Sequence, residues 1–245
     1  MSSALDITYK RPKKFEARFQ GSLLGASAYV GLSGKKVSWI NGVRYKTNRY
    51  LLGSLQTKGE YNPTQFDFQT YLSYQPTPKW SIDIIGNINT NNYDFIPADR
   101  ETLFGTMENV KSFRVYFDGQ EKDVFRTYFG SIGITREIVP GTSVTLLGSA
   151  FKTSEKEAYD LQGQYCLTQT ETSENLGIGT YFQHARNYLD AMVHSVKLML
   201  KHKTRSHNLE FGLTYKHERI NERSVEYEMR DSAGYIVPHT GTDWQ

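Results

Sequence analysis

Chemically reactive side chains are few in this chain, and they are not arranged as a catalytic site. The sequence contains no Walker-type glycine loop, no His-Glu-x-x-His motif and no Gly-x-Ser-x-Gly motif. Gly177-Ile178-Gly179-Thr180 carries a glycine pair, but the pair lies inside a β-like stretch and lacks the rest of a nucleotide-binding fingerprint. We therefore predict no catalytic residue, no bound cofactor and no enzymatic activity.

Metal-ligating residues are also scattered along the sequence. His202 and His207 bracket one turn, but they stand among Lys and Arg without carboxylate partners at ligand spacing. Asp94, Asp99 and Glu101 lack the dense alternate-residue oxygen pattern of a calcium-binding loop, and we interpret them as parts of a solvated loop. A single cysteine excludes an internal disulfide and a multi-cysteine zinc site. The sequence thus predicts no metal ligand.

The charge pattern gives little support for a nucleic-acid partner. The net charge is only +3, from 29 basic and 26 acidic residues. One short basic cluster comprises Lys10, Arg11, Lys13 and Lys14. Such a cluster can contact nucleic acid or acidic lipid, but a solvated connector is the simpler interpretation. We predict no nucleic-acid binding.

The composition favours strands with one apolar and one wet face. Aromatic residues make up 13% of the chain, with 17 Tyr, yet the hydrophobic fraction is only 38%. No window approaches the ~20 consecutive apolar residues that a membrane-spanning helix requires, whereas a membrane-spanning strand needs only ~9–11 residues. Any crossing of a membrane must therefore use strands.

Apolar and polar residues alternate with a period of two in several stretches, which predicts about eight β-strands. The clearest candidates are 66–75, 80–89, 143–150 and 208–216, and weaker ones are Phe15 to Val30, 37–46, 125–135 and 188–200. The pattern places Leu72, Ile82, Ile84, Phe211 and Leu213 on one face, and Gln69, Asp83, Asn87 and Glu210 on the other. The predicted sheet is therefore all-β with two unlike faces.

The predicted connections alternate between short turns and long polar loops. Short turns fall at Ser33-Gly34-Lys35-Lys36, Gln75-Pro76-Thr77-Pro78-Lys79, Val139-Pro140-Gly141-Thr142 and Lys203-Thr204-Arg205-Ser206, and long loops at 47–65, 90–124, 152–187 and from 220 to the end. Outer-membrane barrels have short periplasmic turns and long extracellular loops. Trp39, Tyr74 and Trp80 lie beside the short turns, where a membrane-boundary girdle of aromatic rings is expected. The pattern favours an antiparallel transmembrane β-barrel.

Four segments carry a resemblance to a known family. They are Tyr45-Lys46-Thr47-Asn48-Arg49-Tyr50-Leu51-Leu52, Thr57-Lys58-Gly59-Glu60-Tyr61-Asn62-Pro63, Val115-Tyr116-Phe117-Asp118-Gly119-Gln120-Glu121-Lys122-Asp123 and Arg230-Asp231-Ser232-Ala233-Gly234-Tyr235. In their order and spacing they resemble the early barrel of TonB-dependent receptors. The resemblance implies a 22-stranded barrel with an N-terminal plug in the Gram-negative outer membrane. Such receptors import metal chelates, vitamins or oligosaccharides with energy delivered through TonB.

On this interpretation the chain is one part of such a receptor. Leu5-Asp6-Ile7 resembles the end of the plug, so residues 1–14 are expected to be a plug remnant and linker, and residues 15–245 a partial barrel. The expected partners are outer-membrane lipid, the rest of the barrel and plug, TonB through the missing plug, and a small-molecule or oligosaccharide ligand. The candidates for ligand contact are Tyr50, Tyr61, Tyr93 and Tyr116. As an isolated fragment the chain is expected to be inactive.

Two other interpretations remain open from sequence. A complete eight-stranded barrel, acting as an adhesin or a membrane anchor, agrees with the number of predicted strands. A soluble carbohydrate-binding or hydrolytic β-sandwich explains the Tyr-rich loops, but not the regular alternation of short turns with long loops.

Overall fold

A computed structural model describes residues 8–49, 59–106, 109–169, 174–232 and 235–236. These residues form one antiparallel sheet of thirteen strands. The strands are β1 Glu16–Ser22, β2 Gly25–Ser33, β3 Val37–Thr47, β4 Gly59–Tyr61, β5 Thr64–Thr77, β6 Trp80–Pro97, β7 Arg100–Thr106, β8 Asn109–Val139, β9 Thr142–Gln169, β10 Glu174–Lys203, β11 Asn208–Arg223, β12 Glu226–Ser232 and β13 Tyr235–Ile236. Within the described ranges, no helix is both long and apolar enough to traverse a bilayer.

The sheet is a meander in which neighbours in sequence pair with each other. Its main path runs β1-β2-β3-β5-β6-β8-β9-β10, and β11 and β12 both pair with β10. β11 and β12 follow each other along β10, because Tyr188 pairs with Arg223 and Ala185 with Glu226. β4 and β7 are short additions beside β6 and β8. The prediction of an all-β, antiparallel architecture is confirmed.

Four tight turns lie on one edge of the sheet, which we call the turn rim. The turns at 34–36, 78–79, 140–141 and 204–207 join β2 to β3, β5 to β6, β8 to β9 and β10 to β11. Each of the first three turns accepts a backbone hydrogen bond from the end of a neighbouring strand, from Gln75 N to Lys36 O (2.7 Å), from Glu137 N to Lys79 O (2.8 Å) and from Lys203 N to Gly141 O (2.8 Å). All four turns predicted from sequence are confirmed.

The prediction of one strand from Phe15 to Val30 is wrong, because the chain reverses at Leu23-Leu24 and forms the β1–β2 hairpin. The Ser22 hydroxyl fastens this turn: it accepts from Leu24 N (3.2 Å) and donates to Gly25 O (3.3 Å). The turn lies on the edge opposite the turn rim. Tight turns are therefore not confined to one edge, and the predicted strict alternation fails at its first member.

Two of the predicted long loops are wrong because they are strands. β8, β9 and β10 contain 31, 28 and 30 residues, and the described residues of the segment 152–187, which are 152–169 and 174–187, continue their pairing, with Glu174 opposite Gln169. The segment 90–124 comprises the end of β6, all of β7 and the start of β8. Polar residues on both faces have the composition of a loop, but backbone pairing needs no apolar alternation. We call the part of the sheet beyond Ile88 and its register partners the extension.

Between the turn rim and the extension, one face of the sheet is mainly apolar. One cross-strand row contains Val37, Tyr74, Ile82, Ile134, Leu146, Leu198 and Leu213, and the next contains Leu32, Trp39, Leu72, Ile84, Ile132, Gly148, Val196 and Tyr215. The apolar character ends beyond the row of Ile88, where the next row carries Thr90, Arg126, Ser154 and Asp190. We call this region the apolar band. Its polar members include Arg136, in the row of Trp80, and, in the two rows next to the extension, Asn41, Thr70, Lys152, His194, His217 and Arg219.

Apolar side chains of the apolar band are exposed, whereas some side chains of the polar face are buried, which is the reverse of the usual arrangement in a soluble protein. Ile84 and Leu146 in the apolar band are 37% and 48% exposed, whereas Tyr71 and Ser73 on the polar face are 7% and 2% exposed. Among the described residues, only Tyr71 and Ala185 are buried apolar side chains, and no second sheet packs against the first. The β-sandwich interpretation is therefore wrong. The strand register confirms the predicted faces: Ile82, Ile84 and the residues paired with them lie on one face, and Asp83, Asn87 and the residues paired with them lie on the other.

The tight turn at Gly141 generates a stability prediction. Gly141 has φ +82°, and a Cβ added there would lie 2.4 Å from the Lys203 carbonyl oxygen. We expect Gly141→Ala to lower the free energy of unfolding by at least ~1–2 kcal/mol, because left-handed backbone is strained with a side chain. Urea titration of the chain in detergent micelles measures the effect. Gly34→Ala is the matched control: its Cβ would lie 3.8 Å from the nearest atom, and equal losses at both positions would contradict the argument.

Candidate functional site: an aromatic and acidic patch on the extension

Neighbouring cross-strand rows on the polar face of the extension bring aromatic and acidic side chains together. Tyr93 pairs with Asp123 and Asp123 with Glu157, while Tyr61 pairs with Phe95, Phe95 with Glu121 and Glu121 with Tyr159. Paired residues share a face, and residues two apart along a strand share it too, so all seven side chains point to one side. We call this set the patch.

The aromatic half of the patch is a small stacked cluster. The Tyr61 and Phe95 rings lie 4.7 Å apart between centroids in a stacked arrangement, and the Tyr61 and Tyr93 centroids lie 6.2 Å apart. These separations are in the range of favourable aromatic pairs. The rings are partly buried, so they form a fixed surface beside the acidic residues.

The acidic half contains three carboxylates. One oxygen from each of Glu121, Asp123 and Glu157 lies within 4.8 Å of the others. Asp123 is 8% exposed, and its buried Oδ1 accepts no hydrogen bond from any described residue. Asn187 donates to Glu157 Oε2 at 3.0 Å and to Glu226 Oε1 at 2.8 Å, which orients Glu157. Within the described ranges no Lys or Arg forms an ion pair with the three carboxylates.

Burial and mutual repulsion disfavour the charged forms in the patch. Burial raises the pKa of Glu121 and of Asp123, and the negative charges of Asp123 and Glu157 respectively raise them further. Burial, helped by the charge of Glu121, raises the pKa of Tyr93 to about 12. The pKa of Tyr159 is raised by burial and then by Glu226 and Glu157. The patch is therefore a region of concentrated negative potential.

The arrangement offers groups suited to binding. The carboxylates accept hydrogen bonds from hydroxyl or ammonium groups or coordinate a cation, and the aromatic rings offer faces for stacking. The patch can therefore hold a hydroxyl-rich or cationic ligand. Carboxyl groups with perturbed pKa values are also found in acid–base sites.

The structure brings together two of the four tyrosines that sequence analysis proposed for ligand contact. Tyr61 and Tyr93 belong to the patch. Tyr116 lies on the opposite face, where the Arg114 guanidinium sits 5.7 Å from its ring centroid and donates to its hydroxyl at 2.9 Å. Tyr50 lies outside the described residues. Ligand contact by these tyrosines remains a prediction.

The acidic residues that sequence analysis considered for calcium are used elsewhere. Asp99 accepts from Phe117 N (2.8 Å), and Glu101 accepts from Ser112 (2.7 Å) and Arg114 (2.7 Å). They thus brace the β7–β8 hairpin, and the interpretation of this segment as a solvated loop is wrong.

Sequence analysis missed the carboxylates of the patch, because only the strand register shows that Glu157 lies opposite Asp123, 34 positions earlier in the chain. Their one local signal is the spacing of Glu121 and Asp123, which puts both side chains on the same face of a strand.

Comparisons of this chain with protein-family models, with curated proteins and with solved structures yielded no match. Its function must therefore be argued from the geometry described above.

The repulsion within the patch predicts a pH dependence of stability. Because the folded-state pKa values of Glu121 and Asp123 lie above the ordinary 4.5 and 3.8, the folded state retains protons that the unfolded state has lost. The contribution of these groups to stability therefore falls as pH rises from about 4 towards neutrality. In chelator-treated micelles, Asp123→Asn should become more stable relative to wild type as pH rises. Glu155→Gln, on the same face of β9, should not show this trend in urea titrations.

Proposed function

We propose that this chain forms part of the wall of an outer-membrane β-barrel, in a nutrient receptor of the TonB-dependent kind. The observation that carries the membrane assignment is the exposed apolar band bounded by the turn rim and the polar extension. The assignment to TonB-dependent receptors rests on the resemblance of four segments, among them Tyr45 to Leu52 and Val115 to Asp123.

The dimensions of the apolar band support insertion in a bilayer. From Trp80 to Ile88 it covers nine residues of β6, which is at the lower end of the ~9–11 that a tilted spanning strand needs. The row through Ile82 crosses seven strands at ~4.8 Å spacing, so the band measures roughly 30 Å by 30 Å. This is on the order of 900 Å², above the ~300–600 Å² of the largest apolar patch on a typical soluble monomer.

The aromatic residues near the turn rim support the orientation. Trp39, Tyr74 and Trp80 share the face of the apolar band, within a few residues of the tight turns. The Trp80 ring lies 5.2 Å from the Arg136 guanidinium, and Trp39 Nε1 donates to Thr70 Oγ1 at 2.8 Å. Amphipathic rings at that level match the girdle of outer-membrane barrels. The turn rim is thus assigned to the periplasm and the extension to the exterior.

The polar face suits a water-filled lumen, and the N-terminal segment lies against it. Arg11 donates to Asp83 Oδ1 (3.1 Å) and to the Tyr71 hydroxyl (3.3 Å), and the Tyr9 ring stacks on Tyr71 at 5.0 Å between centroids. A chain that enters the barrel wall from an internal plug would arrive on this face. The position of Tyr9 and Arg11 thus favours the interpretation of the first 14 residues as a linker from a plug.

In this proposal the patch contributes to ligand capture at the outer end of the lumen. The extension places Tyr61, Tyr93 and the carboxylates beyond the apolar band, on the lumen face. A metal chelate, vitamin or oligosaccharide presents the hydroxyl, amine or ring groups that such a surface recognises. Energy from TonB would reach the receptor through its plug and not through this segment.

Membrane insertion is tested by two substitutions on neighbouring rows of opposite faces. Ile84→Arg places a charge in the middle of the apolar band and should cost roughly 2–4 kcal/mol of folding free energy, whereas Asn87→Arg faces the lumen and should be tolerated. We expect Ile84→Arg alone to reduce the amount of the receptor recovered in sucrose-gradient outer-membrane fractions. Equal recovery of both variants at wild-type level would contradict the membrane assignment.

The isolated chain is expected neither to transport nor to catalyse. Among the described strands β1 pairs only with β2 and β11 only with β10, so the sheet is open, and unpaired edge groups in lipid cost several kcal/mol each. Expressed alone, the 245-residue chain should aggregate without detergent. Liposomes reconstituted with it should remain impermeable to sugars. A compact, heat-modifiable band on cold gels would instead support the small closed barrel.

A further inference from the structure

We infer that Glu121, Asp123 and Glu157 form a binding site for one divalent cation of the Ca²⁺ class, which clamps β8 to β9 in the extension. This site goes beyond the proposed receptor function and stands or falls independently of it. Three features support the site: the separation of the oxygens, the ligand types and an unsatisfied buried oxygen.

The separation of the carboxylate oxygens fits Ca²⁺. Ligand oxygens lie ~2.3–2.6 Å from Ca²⁺, so two oxygens on one ion are at most ~5 Å apart. One oxygen from each of the three carboxylates already lies within 4.8 Å of the others. Mg²⁺ needs ~2.0–2.1 Å and near-ideal octahedral geometry, whereas Ca²⁺ accepts a flexible arrangement of its oxygen ligands.

The ligand types select a hard cation. Only carboxylates make up the cluster, and neither His nor Cys belongs to it. Oxygen donors favour Ca²⁺, Mg²⁺ and Mn²⁺, whereas Zn²⁺ and Cu²⁺ favour imidazole or thiolate. Ca²⁺ takes 6–8 oxygen ligands, so water molecules complete the coordination shell. An oxygen atom of a bound vitamin or sugar can replace one of these waters.

Asp123 provides the independent evidence that the cluster is a site and not merely an acidic surface. The residue is more than nine-tenths buried. The Ala158 backbone and the Glu121 side chain hydrogen bond to its carboxyl group, but its Oδ1 has no partner among the described residues. A buried oxygen without a partner costs ~1–3 kcal/mol, and more when it is charged. Asp123 faces Glu157 across the β8–β9 pair with Glu121 beside it, so a second carboxylate cannot supply the missing donor when all three are ionised. A cation satisfies all three groups at once.

The second coordination layer is present on the neighbouring strand. Asn187 of β10 is paired with Glu157 and donates to its Oε2 at 3.0 Å, which leaves Oε1 available to an ion. A donor of this kind fixes a ligating carboxylate, as in known metal sites. Ion binding would thus couple β8, β9 and β10 next to the stacked Tyr61 and Phe95 rings.

The test uses the 245-residue chain in detergent micelles, stripped with chelator and titrated with CaCl₂ by isothermal calorimetry. TbCl₃ luminescence excited through the nearby tyrosines, with CaCl₂ as competitor, reports binding at the patch itself. We expect one saturable site in the wild type, weakened at least about tenfold by Asp123→Asn and by Glu121→Gln. Glu155→Gln removes one charge from the same face of β9 without removing a ligand, and should change affinity by less than about twofold.

Stability gives a second readout that does not depend on binding calorimetry. In chelator, Asp123→Asn should unfold at higher urea than wild type, because it relieves repulsion; with saturating CaCl₂, wild type should become the more stable protein. This exchange of order supports the site even if one variant binds too weakly to titrate. Absence of saturable binding by the wild type, equal weakening by Glu155→Gln, or an unchanged order of stability in CaCl₂ would each overturn the inference.

Discussion

Cross-strand backbone pairing is the constraint on which the rest of this structure depends. The described residues contain almost no buried apolar side chains, so backbone hydrogen bonding between strands holds the sheet together. The longest paired stretches join residues 111–139 of β8 to β9 and residues 174–202 of β10 to β9. Because side chains alternate between faces, register alone decides which residues meet. A slip of one residue between β6 and β8 would carry Ile84 from the apolar face to the polar one and would break the band. The tight turns, which accept backbone hydrogen bonds from the ends of neighbouring strands, hold that register at one end.

The same pairing gives each long strand two different halves. Near the turn rim, one face is apolar and the other polar, as a strand between lipid and water would be; beyond Ile88, both faces are polar and pairing continues without apolar alternation. Backbone hydrogen bonds are satisfied equally in both halves, so the change in side-chain chemistry does not end the strand. The proposed division between a membrane-spanning part and an exposed part that captures ligand follows from this change along single strands. No separate domain is needed for it.

Sequence reasoning succeeded where the signal was local. Alternation over 66–75 and 80–89 and the Pro and Gly residues near 76 and 141 are enough to predict β5, β6 and two of the turns. It failed at Leu23-Leu24, since two leucines carry no turn signal, and in the segment 152–187, where polar residues on both faces are indistinguishable from a loop. The patch was beyond its reach for a different reason: Glu157 becomes a neighbour of Asp123 only through pairing, and the face on which Tyr116 lies also depends on the register. Local patterns thus predict elements, whereas sites assembled between strands require the ladder.

Acidic residues on the polar face differ in whether a basic side chain is paired with them, and this difference supports a cation site in the patch. Closer to the turn rim, buried or half-buried carboxylates have cationic partners inside the chain: Arg11 lies 3.1 Å from Asp83, and Arg44 lies 2.5 Å from Asp67. A carboxylate shielded from water is stabilised by such a partner, and its charged form is disfavoured without one. On the extension, Asp123 is only 8% exposed. It nevertheless stands among other carboxylates, and no arginine or lysine is paired to it in the described structure. The chain supplies arginine partners for Asp83 and Asp67 but no basic partner for the three carboxylates of the patch, which leaves room there for a cation from solution. In the proposed membrane placement the extension lies in water beyond the apolar band, so such an ion can reach the site without crossing lipid.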